Sequence, residues 1–240
     1  MTDALSLDID TVAQQLVGAR AAADAARDPW LARRDHGWGA SEVAALLLAY
    51  DPVDVELRTA RQYHLDDAAL GRLGVPRIVA RKARLARARP PTATMRAGHE
   101  LERELVARWA AQSGYDDVQH ADAAPREWYP LVDRECPRLT ATPDAWCRGP
   151  SGELIAVEAK CTREHPGHAL PWYWRVQVQA QIAVMSAAAG CLVCGPGWIV
   201  GSGAEPVSWL VERDDAEIER IRRVVVVAWD AVERLREMRQ

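Results

Sequence analysis

The stretch Thr140–Lys160, TATPDAWCRGPSGELIAVEAK, constrains the fold of this chain more than any other. Its second half alternates as a strand does, with Leu154, Ala156, Glu158 and Lys160 on one face and Ile155, Val157 and Ala159 on the other. An otherwise apolar strand therefore ends by presenting a carboxylate and an ammonium side by side. Gly149-Pro150-Ser151-Gly152 is a turn signal that folds the short run around Pro143-Asp144 back onto this strand as a hairpin. The hairpin carries Asp144 towards Glu158 and Lys160. Two acidic oxygen ligands and one lysine at the end of a sheet suit a site that holds Mg²⁺ and readies a water, the outline of phosphodiester hydrolysis. The competing reading is a surface ion pair between Glu158 and Lys160, since an Asp…Glu-x-Lys pattern alone is loose.

Lysine usage favours the first reading. Of the 30 basic residues all but Lys82 and Lys160 are arginine. Arginine does not release a proton near neutral pH, whereas lysine is a compact donor whose pKa moves on burial. A chain that writes arginine almost everywhere keeps a lysine beside this carboxylate.

Residues 94–111 are predicted to form a helix with Gly98, Leu101, Leu105, Val106 and Trp109 in one apolar arc. Glu102 falls inside that arc, while Glu100 and Glu104 point away. Such a carboxylate is costly unless it pairs with an arginine or binds a metal. A further helix is expected from Trp172 to Ala189, stopped by Gly190, with Gln177 and Gln181 sharing a face at i and i+4. Their amides need partners, either backbone groups in a core or a metal-bound water or phosphate. Near the N-terminus a loop containing Arg33 and Arg34 leads to Ser41, a natural N-cap for a helix over 42–49, and thus to either a plain cap or a phosphate seat.

The rest of the chain reads as a leading helix over 9–25, a helix over 53–63 and a connection with a short helical piece over 66–76. A basic helix follows over 77–89, closed by Pro90-Pro91. That last segment holds six basic and no acidic residues in a chain of net charge −4. Arg81, Lys82 and Arg84 are accordingly candidates for contact with a DNA backbone, or else part of a solvated basic face. Strands are predicted at 191–194, 198–200 and 207–212, ahead of a terminal helix from about residue 215 whose apolar side is Ile218, Ile221, Val225, Ala228, Val232 and Leu235.

With 240 residues the chain is expected to form one domain. No apolar run is long enough to span a bilayer and residues 1–20 show no leader pattern, which predicts a soluble, cytoplasmic protein without membrane contact. The negative net charge excludes a uniformly basic nucleic-acid binder. Five cysteines, scattered and odd in number, do not form a secreted disulfide framework. Cys191-Leu-Val-Cys194 has the spacing of a redox or iron–sulfur motif, but residues three apart on a strand face opposite ways, which favours core cysteines. Cys161, His165 and His168 offer three zinc ligands without an evident fourth.

Taken in order over residues 28–200, these motifs resemble the YqaJ-type viral recombinases, the lambda exonuclease-like group of PD-(D/E)xK nucleases. Trp30, Arg34 and Gly39-Ala40-Ser41-Glu42 look like that family's N-terminal motif. Gly98-His99-Glu100-Leu101-Glu102 resembles its G-x-x-x-E helix, Thr142-Pro143-Asp144 its small-Pro-Asp motif, Glu158-Ala159-Lys160 its ExK, and Gln177-Val178-Gln179 its QxQ helix. Two departures stand out: Ala145 follows Asp144 where the family writes glycine, and the basic segment 65–91 has no obvious family counterpart.

The resemblance implies an α/β (α+β) restriction-endonuclease-like core, a mixed central sheet flanked by helices in one domain, with a C-terminal helix over about 215–239. It implies that Asp144, Glu158 and the Ala159 carbonyl bind one or two Mg²⁺ ions, which Mn²⁺ can replace, and that Glu102 completes the metal shell. Lys160 would orient and help deprotonate the attacking water, and Gln177 would hold Lys160, the water or a phosphate oxygen. Arg34, Ser41 and Thr142 would receive the 5′-phosphate of a linear duplex end, giving 5′ to 3′ exonuclease action in phage-type recombination. A single-strand annealing recombinase is the implied partner, and a homotrimer a possible assembly. The alternatives are a structure-selective or defence endonuclease on the same core, and a non-catalytic DNA-binding protein with a decayed nuclease core.

Overall fold

The hairpin predicted at Thr140–Lys160 forms. In the computed structural model, which describes residues 36–51, 77–83, 93–115, 117–121, 130–162, 169–196 and 205–238, strand β5 (Ala145–Arg148) pairs antiparallel with β6 (Leu154–Thr162), Ala145 facing Val157 and Arg148 facing Leu154. Two backbone bonds close the turn: Gly152 N–H donates to the Gly149 carbonyl at 2.9 Å, and Gly149 N–H to that of Glu153 at 2.8 Å. Gly152 has φ +83°, a left-handed conformation that a side chain would strain.

The other elements, in chain order, are β1 (Trp38–Gly39), α1 (Ala40–Tyr50), α2 (Arg77–Lys82), α3 (Ala93–Ser113), β2 (Gln119–His120), β3 (Leu131–Val132) and β4 (Leu139–Ala141) before the hairpin. After it come α4 (Trp172–Met185), β7 (Ala189–Pro196), β8 (Val207–Glu212) and α5 (Asp215–Glu237). The main sheet runs β2-β5-β6-β7-β8, parallel between β6 and β7 and antiparallel at its other pairings; a small sheet runs β1-β4-β3. This is the mixed α/β architecture expected from the sequence. Among the described residues no helix is long and apolar enough to cross a membrane.

The alternation along β6 sorts the core into two layers. Ala156 packs with α1, α4 and α5 through residues such as Leu46, Val178, Ile182, Ile218 and Ile221. Ile155, Val157 and Ala159 pack on the opposite face against Leu105, Val106 and Trp109 of α3. The sheet is thus covered on both sides, and the strands nearest its centre are apolar on both faces for that reason.

Several expected boundaries shift. α4 stops at Met185, capped by Ser186 in the left-handed region (φ 53°), and Gly190 is not a helix stop but the second residue of β7. A Cβ on Gly190 would collide with the Val178 side chain, so glycine lets α4 cross β7 closely. α1 begins at Ala40 with Gly39 as its N-cap, not Ser41. Glu42 reaches back from the third helical position and accepts from Gly39 N–H at 2.9 Å, leaving Ser41 exposed in the first turn. The helix expected at 94–111 occupies Ala93–Ser113, and 207–212 forms β8 as expected. α5 starts at Asp215 and buries Ile218, Ile221, Val225, Ala228 and Val232, with Asp214 as a true side-chain cap on Glu217 N–H at 3.0 Å. Of the basic helix expected at 77–89, Arg77–Lys82 is helical. The helices expected at 9–25 and 53–63, the 66–76 connection, the strand at 198–200, and Trp30, Arg33, Arg34, Arg84, His165 and His168 lie outside the described residues.

Candidate active site

The backbone fixes Asp144 before its side chain acts. Asp144 N–H donates to the Val157 carbonyl at 3.1 Å and its own carbonyl accepts from Ala121 N–H at 2.9 Å. Its Oδ2 then accepts from Ala159 N–H at 2.7 Å. Asp144 is thereby tied to the two residues of β6 that flank Glu158, and the ammonium of Lys160 lies one pleat further along.

Glu158 is buried, 3% exposed, on the face turned towards α4. Three N–H donors surround it: Lys160 Nζ and Gln177 Nε2 on Oε1, and Gln181 Nε2 on Oε2. A carboxylate out of water is tolerated only when its charge and lone pairs are met in this way. Gln177 and Gln181 are one helical turn apart, so a single face of α4 supplies both amides. Gln179, between them, points away: its amide donates to the Glu212 carbonyl at 2.7 Å and accepts from Asp214 N–H at 3.1 Å, pinning α4 to the corner between β8 and α5.

Glu102 approaches from the other side of the sheet. It is half-buried on α3, next to the buried Leu105 and Val106. Its charge raises the pKa of Asp144, Lys160 and Cys161, which places it in the same electrostatic neighbourhood. Burial pushes the Asp144 carboxyl well above its ordinary range. The charge of Glu158 adds to this and that of Glu102 adds further, while Lys160 and the Ala159 N–H pull the other way. For Lys160, burial works against the ammonium, but Glu158, Asp144 and Glu102 outweigh it and hold the proton more firmly than usual. In this state Lys160 is a cation and a donor; it can serve as a base only where something neutralises the carboxylate field around it.

Three carboxylates around one ammonium leave an excess of negative charge on oxygen donors. That donor type suits a hard divalent cation such as Mg²⁺, which Asp144 and Glu158 would be the residues to hold. Among the described residues no three His, Cys, Asp or Glu side chains are gathered into a formed metal cage, and both Glu158 oxygens face N–H donors.

The structure thus brings together Asp144, Glu158, Ala159, Lys160 and Gln177, with Glu102 in their electrostatic neighbourhood. Thr142 lies half-buried two residues before Asp144. Lys82, expected on a solvated or DNA-facing basic surface, is instead buried at 7% exposure: its ammonium lies 3.0 Å from Glu42 Oε2 and 5.4 Å from the centre of the Trp38 ring. Arg81 binds the other oxygen of Glu42 at 2.7 Å and keeps part of its side chain in solvent. Ordinary ion pairing and cation–π packing explain Lys82, because a helix lying on α1 needs its inward basic groups compensated. Cys191 and Cys194 occupy opposite faces of β7 as buried free thiols, with pKa values pushed up by burial to about 12 and about 11. Gln181 is the residue at this site that the motifs leave out; its i, i+4 spacing from Gln177 was the signal.

No protein-family model and no curated protein matches this chain. Among solved structures the fold resembles the alkaline exonuclease LHK-Exo from Laribacter hongkongensis, with a TM-score of 0.58 and 20% identity over 87% of this chain and 94% of that one. The same figures hold for LHK-Exo in complex with dAMP. A phage-related exonuclease from Haemophilus somnus 129PT also gives a TM-score of 0.58, with 12% identity over 85% of this chain and 96% of that one. What these proteins share with it at such identities is the fold.

Proposed function

We propose that this chain is a metal-dependent deoxyribonuclease of the YqaJ/lambda exonuclease type, hydrolysing phosphodiester bonds from the ends of linear duplex DNA in the 5′ to 3′ direction. The observation that carries the reading is that Asp144, Glu158 and Lys160 meet at the β5–β6 hairpin, Asp144 held by the Ala159 N–H and Lys160 paired with Glu158, with Glu102 in the same electrostatic neighbourhood. That its fold neighbours are exonucleases, one of them described with bound dAMP, supports DNA as the substrate.

Asp144 and Glu158 would hold one or two Mg²⁺ ions with the Ala159 carbonyl, and Glu102 directly or through water. Bound Mg²⁺ supplies Lewis-acid stabilisation of charge on the phosphoryl oxygens and the leaving 3′-oxygen. The chain's own groups do the positioning. The Ala159 N–H fixes one oxygen of Asp144, so that carboxylate keeps its orientation as charge builds at the phosphorus. Lys160 donates to the attacking water or to a non-bridging oxygen, and Gln177 holds Lys160's partner carboxylate in place. Arg34, Ser41 and Thr142 would receive the 5′-phosphate, Ser41 from the exposed first turn of α1. Phage-type recombination with a single-strand annealing partner, and a trimer that encircles the duplex, follow as the biological setting of such an enzyme.

The reading is tested by incubating linear duplex carrying 5′-phosphate or 5′-hydroxyl ends, with a closed circle alongside, in the presence of Mg²⁺. Release of mononucleotides from the phosphorylated ends, with the circle intact, is the expected result. Nicking of the circle would replace the exonuclease by an endonuclease on the same core, and retained DNA binding without cleavage would replace both by a binding protein.

A further inference from the structure

The first turn of α4 is Trp172-Tyr173-Trp174, three aromatic side chains in succession, none of them fully buried. Each lays part of its ring on the core that α4 shares with α1 and α5 and leaves part in solvent. The Tyr173 and Trp174 rings meet edge to face, their centres 5.3 Å apart and their planes at 64°. Half-exposed rings at a helix start are ordinary packing by themselves; their position is what distinguishes these. α4 ends at Met185, and β7 begins at Ala189 beside Ile155, the second residue of β6. α4 therefore runs back along β6 from that strand's carboxyl end, and the three rings stand at this end. Lys160 lies there too, 24% exposed where Glu158 is buried, so the site opens on this side. Trp174, Gln177 and Gln181 follow at i, i+3 and i+7, the spacing of one helical face, and both glutamines donate to Glu158. At 1.5 Å per residue Trp174 is about 4.5 Å along the axis from Gln177. Crevices outside the carboxyl ends of parallel strands are where such sheets bind ligands.

We propose that Trp174, braced edge-on by Tyr173, is the face on which the terminal nucleobase of the DNA stacks while its phosphodiester lies at Lys160. The proposal rests on the deoxyribonuclease reading of this site and adds to it a binding residue for the base. Glu158, Lys160 and Gln177 address phosphate and water, and give a base nothing to stack on. An aromatic face suits all four bases, because each has a π surface, so the enzyme grips an end without reading its sequence.

The test uses the full chain with Mg²⁺ and 5′-phosphorylated duplexes whose terminal nucleotide is unpaired and carries either adenine or no base. Leaving that nucleotide unpaired keeps the cost of opening a base pair out of the comparison. At subsaturating DNA, wild type should release the adenine nucleotide about tenfold faster, or more, than the abasic one. Trp174→Leu should bring that ratio to within about twofold of one. Trp174→Met should do the same, and its pliable side chain covers the case in which the leucine variant does not fold. Trp174→Phe, which keeps a smaller ring, should retain most of the ratio. A tryptophan that only packs predicts that both ends slow together in the ringless variants, with the ratio where it was. That result, or a wild-type ratio near one, overturns the proposal and leaves the nuclease standing. No release from either duplex by wild type overturns the exonuclease reading and this proposal with it.

Discussion

Asp144 carries the sharpest conflict between stability and chemistry. Burial, and then the charge of Glu158, raise its pKa in the folded chain above the ordinary aspartate value. Folding therefore favours the protonated carboxyl. The stability this contributes is complete below the ordinary aspartate range and is lost as pH rises through the folded-state value. In the absence of divalent cations, wild type should lose melting temperature as pH rises from the ordinary aspartate range upward, while Asp144→Asn should lose less and melt higher at the alkaline end. The variant keeps an acceptor for Ala159 N–H but is expected to have no cleavage activity. Thermal melts across that range, paired with a nuclease assay, check both halves. Asp144, Glu158 and Lys160 were legible in the sequence because strand alternation and a Gly-Pro-Ser-Gly turn fix who faces whom. Glu102 was legible as a misfit in an apolar stripe. Gln181 was legible only as sharing a face with Gln177; that this face meets Glu158 depends on how the helix is rotated against β6, and no local pattern sets that rotation.

The helix α4 is the element on which the site depends most, because it carries both amides that hold Glu158. Its distance from β7 is set by Gly190, where a Cβ would meet the stiff, buried side chain of Val178. Gly190→Ala should cost about 1–3 kcal/mol by overpacking, measured by urea denaturation, and should lower kcat by shifting Gln177 and Gln181 off the carboxylate. In the sequence this glycine resembles a helix stop, since glycine marks both helix ends and close packing, and only the neighbour across the sheet distinguishes them. At α1, Glu42 accepts from the Gly39 N–H and pairs with Arg81 and the buried Lys82. Glu42→Ala would remove the carboxylate that lies 3.0 Å from the buried Lys82 ammonium and should destabilise the fold by about 3 kcal/mol, with α2 detaching from α1 first. Chemical denaturation followed by hydrogen exchange of Val79–Ala83 reads both effects. Arg77–Arg89 looked uniformly basic because composition does not say which cations turn inward.

At the scale of the molecule the site sits on the central strand β6, between the helices that cover the two faces of the sheet. α3 delivers Glu102 from one side, α4 delivers Gln177 and Gln181 from the other, and the β5–β6 hairpin supplies Asp144, Glu158 and Lys160 between them. The α/β class and the central hairpin follow from local patterns; the strand order β2-β5-β6-β7-β8 does not, since it is decided by which apolar faces the helices cover. The central claim is that the clustered carboxylates and lysine cleave DNA. Its most direct test is single-turnover cleavage of an end-labelled linear duplex by wild type and Lys160→Ala, at protein concentrations where both bind the duplex equally. The account predicts Mg²⁺-dependent release of nucleotides by wild type and a loss of about 10²–10⁴-fold in the variant, with unchanged binding. Equal rates in the two proteins, or no cleavage by wild type with Mg²⁺ or Mn²⁺, would contradict it.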